Sequence, residues 1–130
     1  MTTKALSKIL LIDDDSRNIF ALTAVLKTKG FTCVSATGAA EGLTLLAGQP
    51  TIGIVLLDMM MPEMDGYEAM RRLRRDERFA KLPVIALTAK AMKGERERCL
   101  DADASDYLPK PIDGEKLLST VHAWMRAGVT

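Results

Sequence analysis

Five short apolar runs alternate along the chain with longer stretches whose apolar residues recur at helical spacing. The runs are residues 9–12 (Ile-Leu-Leu-Ile), 31–34 (Phe-Thr-Cys-Val), 52–57 (Ile-Gly-Ile-Val-Leu-Leu), 84–87 (Val-Ile-Ala-Leu) and a weaker one at Tyr107-Leu108. The third is nearly continuous rather than alternating, as a strand buried on both faces reads, and the first and fourth are equally apolar. The intervening stretches carry helical stripes: Ile19, Leu22 and Leu26, stopped at Gly30; Leu43, Leu46 and Ala47, ended near Gly48 and Pro50; Tyr67, Met70 and Leu73 or Arg74; a mostly polar helix over 93–100; and Leu117, Val121, Trp124 and Met125, with Asp113 as N-cap and Gly128 just past the end. Asp15 or Ser16 caps the first helix. Strand and helix repeat five times, which predicts a (βα)5 domain of the α/β class: a five-stranded parallel sheet, doubly wound, with helices on both faces. No Pro/Gly/Ser linker or internal repeat divides it, so a single domain over residues 1–130, with its core at about 8–126, is expected.

Composition narrows the class without naming a chemistry. The 130 residues are 48% apolar and 27% charged, near the average for a globular domain, which excludes disordered and low-complexity classes. No apolar run is long enough for a membrane-spanning helix, and the start Met1-Thr2-Thr3-Lys4 lacks a signal peptide's apolar stretch, so no membrane association and a cytoplasmic address are expected. With 18 basic and 17 acidic residues the net charge is +1, which gives no pull toward nucleic acid. Cys33 and Cys99 show no metal or redox spacing and read as small apolar residues.

The polar residues that end the strands carry the chemistry. The first run ends in Asp13-Asp14-Asp15, the third in Asp58, the fourth in Thr88, and the fifth is followed by Lys110-Pro111. In a doubly wound sheet ligands bind beyond the strands' carboxyl ends, where the strand order reverses. With order 2-1-3-4-5, strands one and three flank that point and bring Asp13, Asp14 and Asp58 together. Three carboxylates in one crevice repel one another unless a cation is present, and hard oxygen ligands that leave room for water suit Mg2+. Carboxylates, a divalent ion, a lysine and a hydroxyl are the apparatus of phosphoryl transfer, with positioned charge on the phosphoryl oxygens. Asp58, alone at its strand end, is the natural nucleophile, giving an aspartyl phosphate.

The stretches Leu11-Ile12-Asp13-Asp14, 57–66 (Leu-Asp-Met-Met-Met-Pro-Glu-Met-Asp-Gly), Ala86-Leu87-Thr88-Ala89 and Tyr107-Leu108-Pro109-Lys110-Pro111, in this order and spacing, resemble the receiver domain of two-component response regulators, a flavodoxin-like fold of the chemotaxis-regulator kind. The match runs from Ile9 to about Met125. The resemblance implies that Asp58 is the phosphoacceptor, that Asp14 is the main Mg2+ ligand with Asp13 binding directly or through water, and that the Met60 backbone carbonyl supplies a further metal oxygen. It implies that Lys110 pairs with the phosphoryl group, that Lys110-Pro111 is a cis peptide, and that Thr88 and Tyr107 form a switch pair. The phosphoryl donor would be a histidine kinase or a histidine phosphotransfer protein, and the responding surface the fourth helix, fifth strand and fifth helix, where a homodimer or an effector would bind. The protein would catalyse only its own phosphorylation and dephosphorylation.

There are departures from the family pattern. Asp103 stands where such domains commonly carry Gly before Ala104-Ser105; its backbone is expected to turn there, since Asp tolerates the left-handed region. Met60 and Lys90 occupy two positions that influence water access in the family, and an apolar Met60 over the phosphate predicts a long-lived phosphoryl state. The methionines at 59, 60, 61 and 64 read as packing over the first helix and around the site, the arginine-rich run 71–78 as a solvated helix face, and the single histidine, His122, as an ordinary surface or packing residue, so the phosphohistidine comes from elsewhere. Two rivals stand beside this reading. A Mg2+-dependent aspartyl-phosphate phosphatase would want an acid two residues after the nucleophile, where Met60 stands. A phosphorylation-independent interaction domain would not need Asp13, Asp14, Asp58, Thr88 and Lys110 all intact.

Overall fold

The computed structural model describes residues 8–61, 64–88 and 94–129. Pro62, Glu63, Ala89, Lys90 and Lys93 lie outside the described residues. Five strands, β1 (Lys8–Ile12), β2 (Thr32–Ala36), β3 (Ile52–Asp58), β4 (Val84–Thr88) and β5 (Asp106–Pro109), alternate with α1 (Ser16–Lys27), α2 (Ala39–Gly48), α3 (Gly66–Arg75), α4 (Glu95–Asp101) and α5 (Gly114–Val129), with a 3-10 turn at Glu77–Phe79. The sheet is wholly parallel in the order β2-β1-β3-β4-β5, as the alternation predicts.

Period-two alternation sorts the central strands onto two cores. Leu10, Ile12, Val55, Leu57, Val84 and Ala86 face α2 and α3, where Ala39, Leu46, Ala69, Met70 and Leu73 close over them. Ile9, Leu11, Ile54, Leu56, Ile85 and Leu87 face α1 and α5, against Leu22, Leu26, Leu117 and Val121. Every residue of β3 is buried, which is why its sequence shows no alternation. The edge strand β2 is half exposed.

Several element details differ from the sequence expectation. The third strand extends one residue further, through Asp58, and the second runs two residues past Val34, to Ala36, because both continue their ladder with β1 or β4. In α2 the buried positions are Ala39, Gly42 and Leu46; Ala47 lies about 100° further round and is exposed. Gly128 lies inside α5 rather than beyond it, since a glycine weakens a helix without compelling a stop. Met59 and Met61 are buried with the α2/α3 core, on the face of the sheet opposite α1, because the β3–α3 connection leads to that face. The stop at Gly30 (φ 82°) and the caps Asp15 and Asp113 are as expected: the Asp15 carboxylate accepts from the Arg17 amide, and that of Asp113 from the Glu115 amide at 2.9 Å. Asp103 takes the left-handed turn expected of it, at φ 71°.

Candidate functional site

The carboxyl ends of the strands meet at one edge of the sheet. Neighbouring strands β1 and β3 send their chains to opposite faces, into α1 and α3, and a crevice opens between the two departures. Asp13 and Asp14 follow β1 directly, Asp58 ends β3, Thr88 ends β4, and Lys110 follows β5. Parallel register brings these tips level: Ile12 pairs with Leu57, Asp58 with Leu87, and Thr88 with Pro109.

One oxygen from each of Asp13, Asp14 and Asp58 lies within 4.8 Å of the others. Asp13 and Asp58 are buried, and Asp14 is exposed. The Lys110 ammonium sits between the buried pair, 3.3 Å from Asp13 Oδ2 and 3.4 Å from Asp58 Oδ2. Asp58 Oδ1 accepts the Met60 backbone N–H at 3.0 Å. Asp13 Oδ1 accepts the Asp15 amide at 2.9 Å, and its Oδ2 accepts the Asn18 side-chain amide. Thr88 is buried, and its hydroxyl finds no hydrogen-bond partner among the described residues. The Lys110-Pro111 bond is cis.

The electrostatics follow from this packing. Burial pushes the Asp58 carboxyl above its ordinary value; the Asp13 charge adds to the rise, and together they outweigh the Met60 amide and Lys110, which pull it down. Burial pulls the Lys110 ammonium down, but the charges of Asp58 and Asp13 overcome it and leave the group above its usual value. Hard anionic oxygens at this spacing, one exposed to solvent, fit a small divalent cation that keeps several waters.

All the sequence-predicted acids, Lys110 and Thr88 thus fall at one end of the sheet. Met60 contributes a backbone N–H to Asp58, and its side chain is 62% exposed. Tyr107 is half-buried on β5, opposite Ala86, and packs against the α2/α3 core. His122 is exposed on α5. The arginine-rich run is the solvated face with nearby acids that the sequence predicts, with Arg71 and Arg72 paired to Glu68 and Arg78 to Asp76 at the surface; Arg74 departs from it and binds backbone carbonyls.

Three features escape the sequence pattern. Asn18 is the third residue of α1, in the turn that reaches back toward the preceding loop, and its proximity to Asp13-Asp14-Asp15 was the available signal. Gly66 lies so close to the site's backbone that a Cβ there would stand 2.4 Å from Met59 Cα and 2.8 Å from the Asp58 carbonyl oxygen. The loop after Asp58 can close onto α3 only over a glycine. Trp124 on α5 donates its indole N–H to Asp106 Oδ2 at 3.0 Å, one residue before Tyr107, which no spacing in the sequence announces.

A doubly wound five-stranded parallel sheet with an acid-and-lysine crevice at its carboxyl edge defines the class of the domain, and the comparisons give its family. The profile of the response regulator receiver domain matches residues 9–122, and the chain belongs to that family. It is 35% identical to Protein PilH of Pseudomonas aeruginosa over 118 residues, covering 91% of this chain and 97% of PilH. It is 38% identical over 119 residues to the DNA-binding dual master transcriptional regulator RpaA of Synechocystis, covering 92% of this chain but only 49% of RpaA, so the chain spans about half that relative's length. Among solved structures, a response regulator receiver protein from Pseudomonas putida superposes with a TM-score of 0.83 at 32% identity, covering 91% of this chain and 97% of that one. The signal receiver domain of a signal transduction histidine kinase from Syntrophus aciditrophicus superposes with a TM-score of 0.84 at 26% identity, covering 93% and 91%. Among the described residues no helix is long and apolar enough to cross a membrane.

Proposed function

We propose that this receiver domain is a phosphoacceptor switch in which Asp58 takes a phosphoryl group from a phosphohistidine on a histidine kinase or a histidine phosphotransfer protein. The reading is carried by the Lys110 ammonium held between the buried Asp13 and Asp58 carboxylates, with Asp14 at the crevice mouth. In the transfer, an Asp58 carboxylate oxygen forms the new P–O bond as the donor's P–N bond breaks, and the departing imidazole keeps the electron pair and takes a proton. Asp13, Asp14 and Asp58 would hold Mg2+, which when bound offsets charge on the phosphoryl oxygens. Lys110 neutralises a second oxygen, and the Met60 amide, already on Asp58, orients the acceptor. Loss of the group reverses the bookkeeping: water attacks phosphorus, inorganic phosphate leaves, and the Asp58 carboxylate is restored.

The signal follows from Thr88. Its buried hydroxyl lacks a partner among the described residues, and a phosphoryl group brings about −1.5 to −2 charge and three acceptor oxygens to the adjoining strand end. The conformation in which Thr88 donates to that group is therefore favoured once Asp58 is modified. Tyr107 then turns inward toward the space Thr88 leaves, and the α4-β5-α5 face changes for an effector or a second copy. Incubation with acetyl phosphate and Mg2+, followed by intact-mass spectrometry, tests the acceptor. One added phosphoryl group, absent in Asp58→Asn and with EDTA, is the expected result. Unchanged mass in the wild type, or equal modification of Asp58→Asn, contradicts the reading.

A further inference from the structure

We infer that Asn18 is a positioning residue that fixes the Asp13 carboxylate and so preorganises the crevice for a divalent cation; the inference rests on the reading of that crevice as a Mg2+-assisted phosphoacceptor site. Asp13 is fully buried, and a buried carboxylate needs donors on its lone pairs. It has three: the Asp15 amide on Oδ1, and the Asn18 amide and Lys110 ammonium on Oδ2. Lys110 is shared with Asp58, so it cannot define the orientation of Asp13 alone. The other two donors both come from the start of α1, whose first turn is fixed by the Asp15 cap. Asn18 is thus the described side chain that holds Asp13 without also touching Asp58.

The chemistry of the residue matters. A neutral amide donates to the carboxylate without adding positive charge that would repel an incoming cation. It also relieves Lys110 of part of the work of holding Asp13, leaving the ammonium centred between the two acids. Without Asn18, Asp13 Oδ2 depends on Lys110, and the carboxylate must be ordered when the cation binds. Groups that orient metal ligands from behind typically cost about 10–100-fold in affinity when removed.

The test uses Asn18→Ala and the isosteric Asn18→Leu, with Mg2+ binding followed by calorimetry on the full chain. Thermal unfolding in EDTA identifies which variants are folded, and either one suffices. The expected result is a Mg2+ Kd raised about tenfold, with acetyl-phosphate labelling slowed at low Mg2+ and restored to the wild-type rate at saturating Mg2+. An unchanged Kd in a folded variant overturns the role of Asn18. A labelling rate that stays low at saturating Mg2+ also overturns it, because a positioning defect in cation binding is overcome by mass action. If the wild type itself neither binds Mg2+ nor takes a phosphoryl group, the underlying reading falls, and the inference with it.

Discussion

As the proposed phosphoacceptor, Asp58 carries two opposed demands: it would have to be ionised to attack phosphorus, yet it is buried beside a second carboxylate. Its carboxyl titrates above the ordinary value, first because of burial and then because of Asp13. The unfolded chain then loses this proton at lower pH than the folded one, so folding stability falls as pH rises from about 3.8, the ordinary value of the carboxyl, to the raised folded value. Asp58→Asn removes that loss. In EDTA at pH 7 the variant is expected to be more stable by about 0.5–2 kcal/mol, the common gain when a strained functional group is replaced. The gain should shrink to nothing below the lower limit of that window, and thermal melts at the two pH values check it. On the proposed reading, Met60 bears on the lifetime of the modified state rather than its formation: its thioether is exposed two residues after Asp58, and an apolar group there would hinder attacking water. Phosphate release should be several-fold faster in Met60→Asn than in the wild type, on the scale of about 1 kcal/mol for a single exposed contact; a wild type no slower than the variant removes Met60 from the account.

At the scale of elements, the carboxyl edge is shaped by short connections, and the opposite edge is tied by one arginine. Arg74, at the end of α3, donates to the carbonyls of Phe79 (2.8 Å), Leu82 (2.7 Å) and Asp103 (2.9 Å). It thereby joins α3, the 3-10 turn and the left-handed turn after α4. Arg74→Ala leaves those carbonyls without their charged donor and is expected to cost about 2–4 kcal/mol, read as a lower urea midpoint at unchanged slope. Arg74→Lys should recover less than half, since an ammonium cannot reproduce the guanidinium fork. The sequence pattern sets Arg74 beside Leu73 as a stripe position and gives no sign of this role, because a side chain that binds distant carbonyls leaves no periodic trace; its neighbours Arg71, Arg72 and Arg78 form the solvated face the pattern predicts. The strands were legible for the converse reason. Apolar side chains on β1, β3 and β4 have no alternative to a two-faced core, so their runs stand out wherever the chain folds. The second helix was misphased because Ala39 and Gly42, both small, make weak signals beside Leu43 and Ala47.

For the molecule as a whole, the crevice was legible because parallel topology determines what shares an edge. Once the strand order is 2-1-3-4-5, residues 13, 58, 88 and 110 must lie on one side of the sheet, although up to 97 positions separate them. What topology does not determine is the donors that hold those residues: Asn18 behind Asp13, the Met60 amide on Asp58, and Trp124 bound to Asp106 beside Tyr107. These contacts depend on rotamers and loop geometry rather than on pattern. The Trp124–Asp106 bond also connects α5 to the strand that carries Tyr107, which places α5 within reach of any movement there. The most direct measurement of the central claim is to label the wild type with acetyl phosphate and Mg2+, trap the product with borohydride, and sequence the peptides by tandem mass spectrometry. Conversion of residue 58 to homoserine, dependent on Mg2+, is the predicted result; a trapped residue elsewhere, or labelling indifferent to the cation, would contradict it.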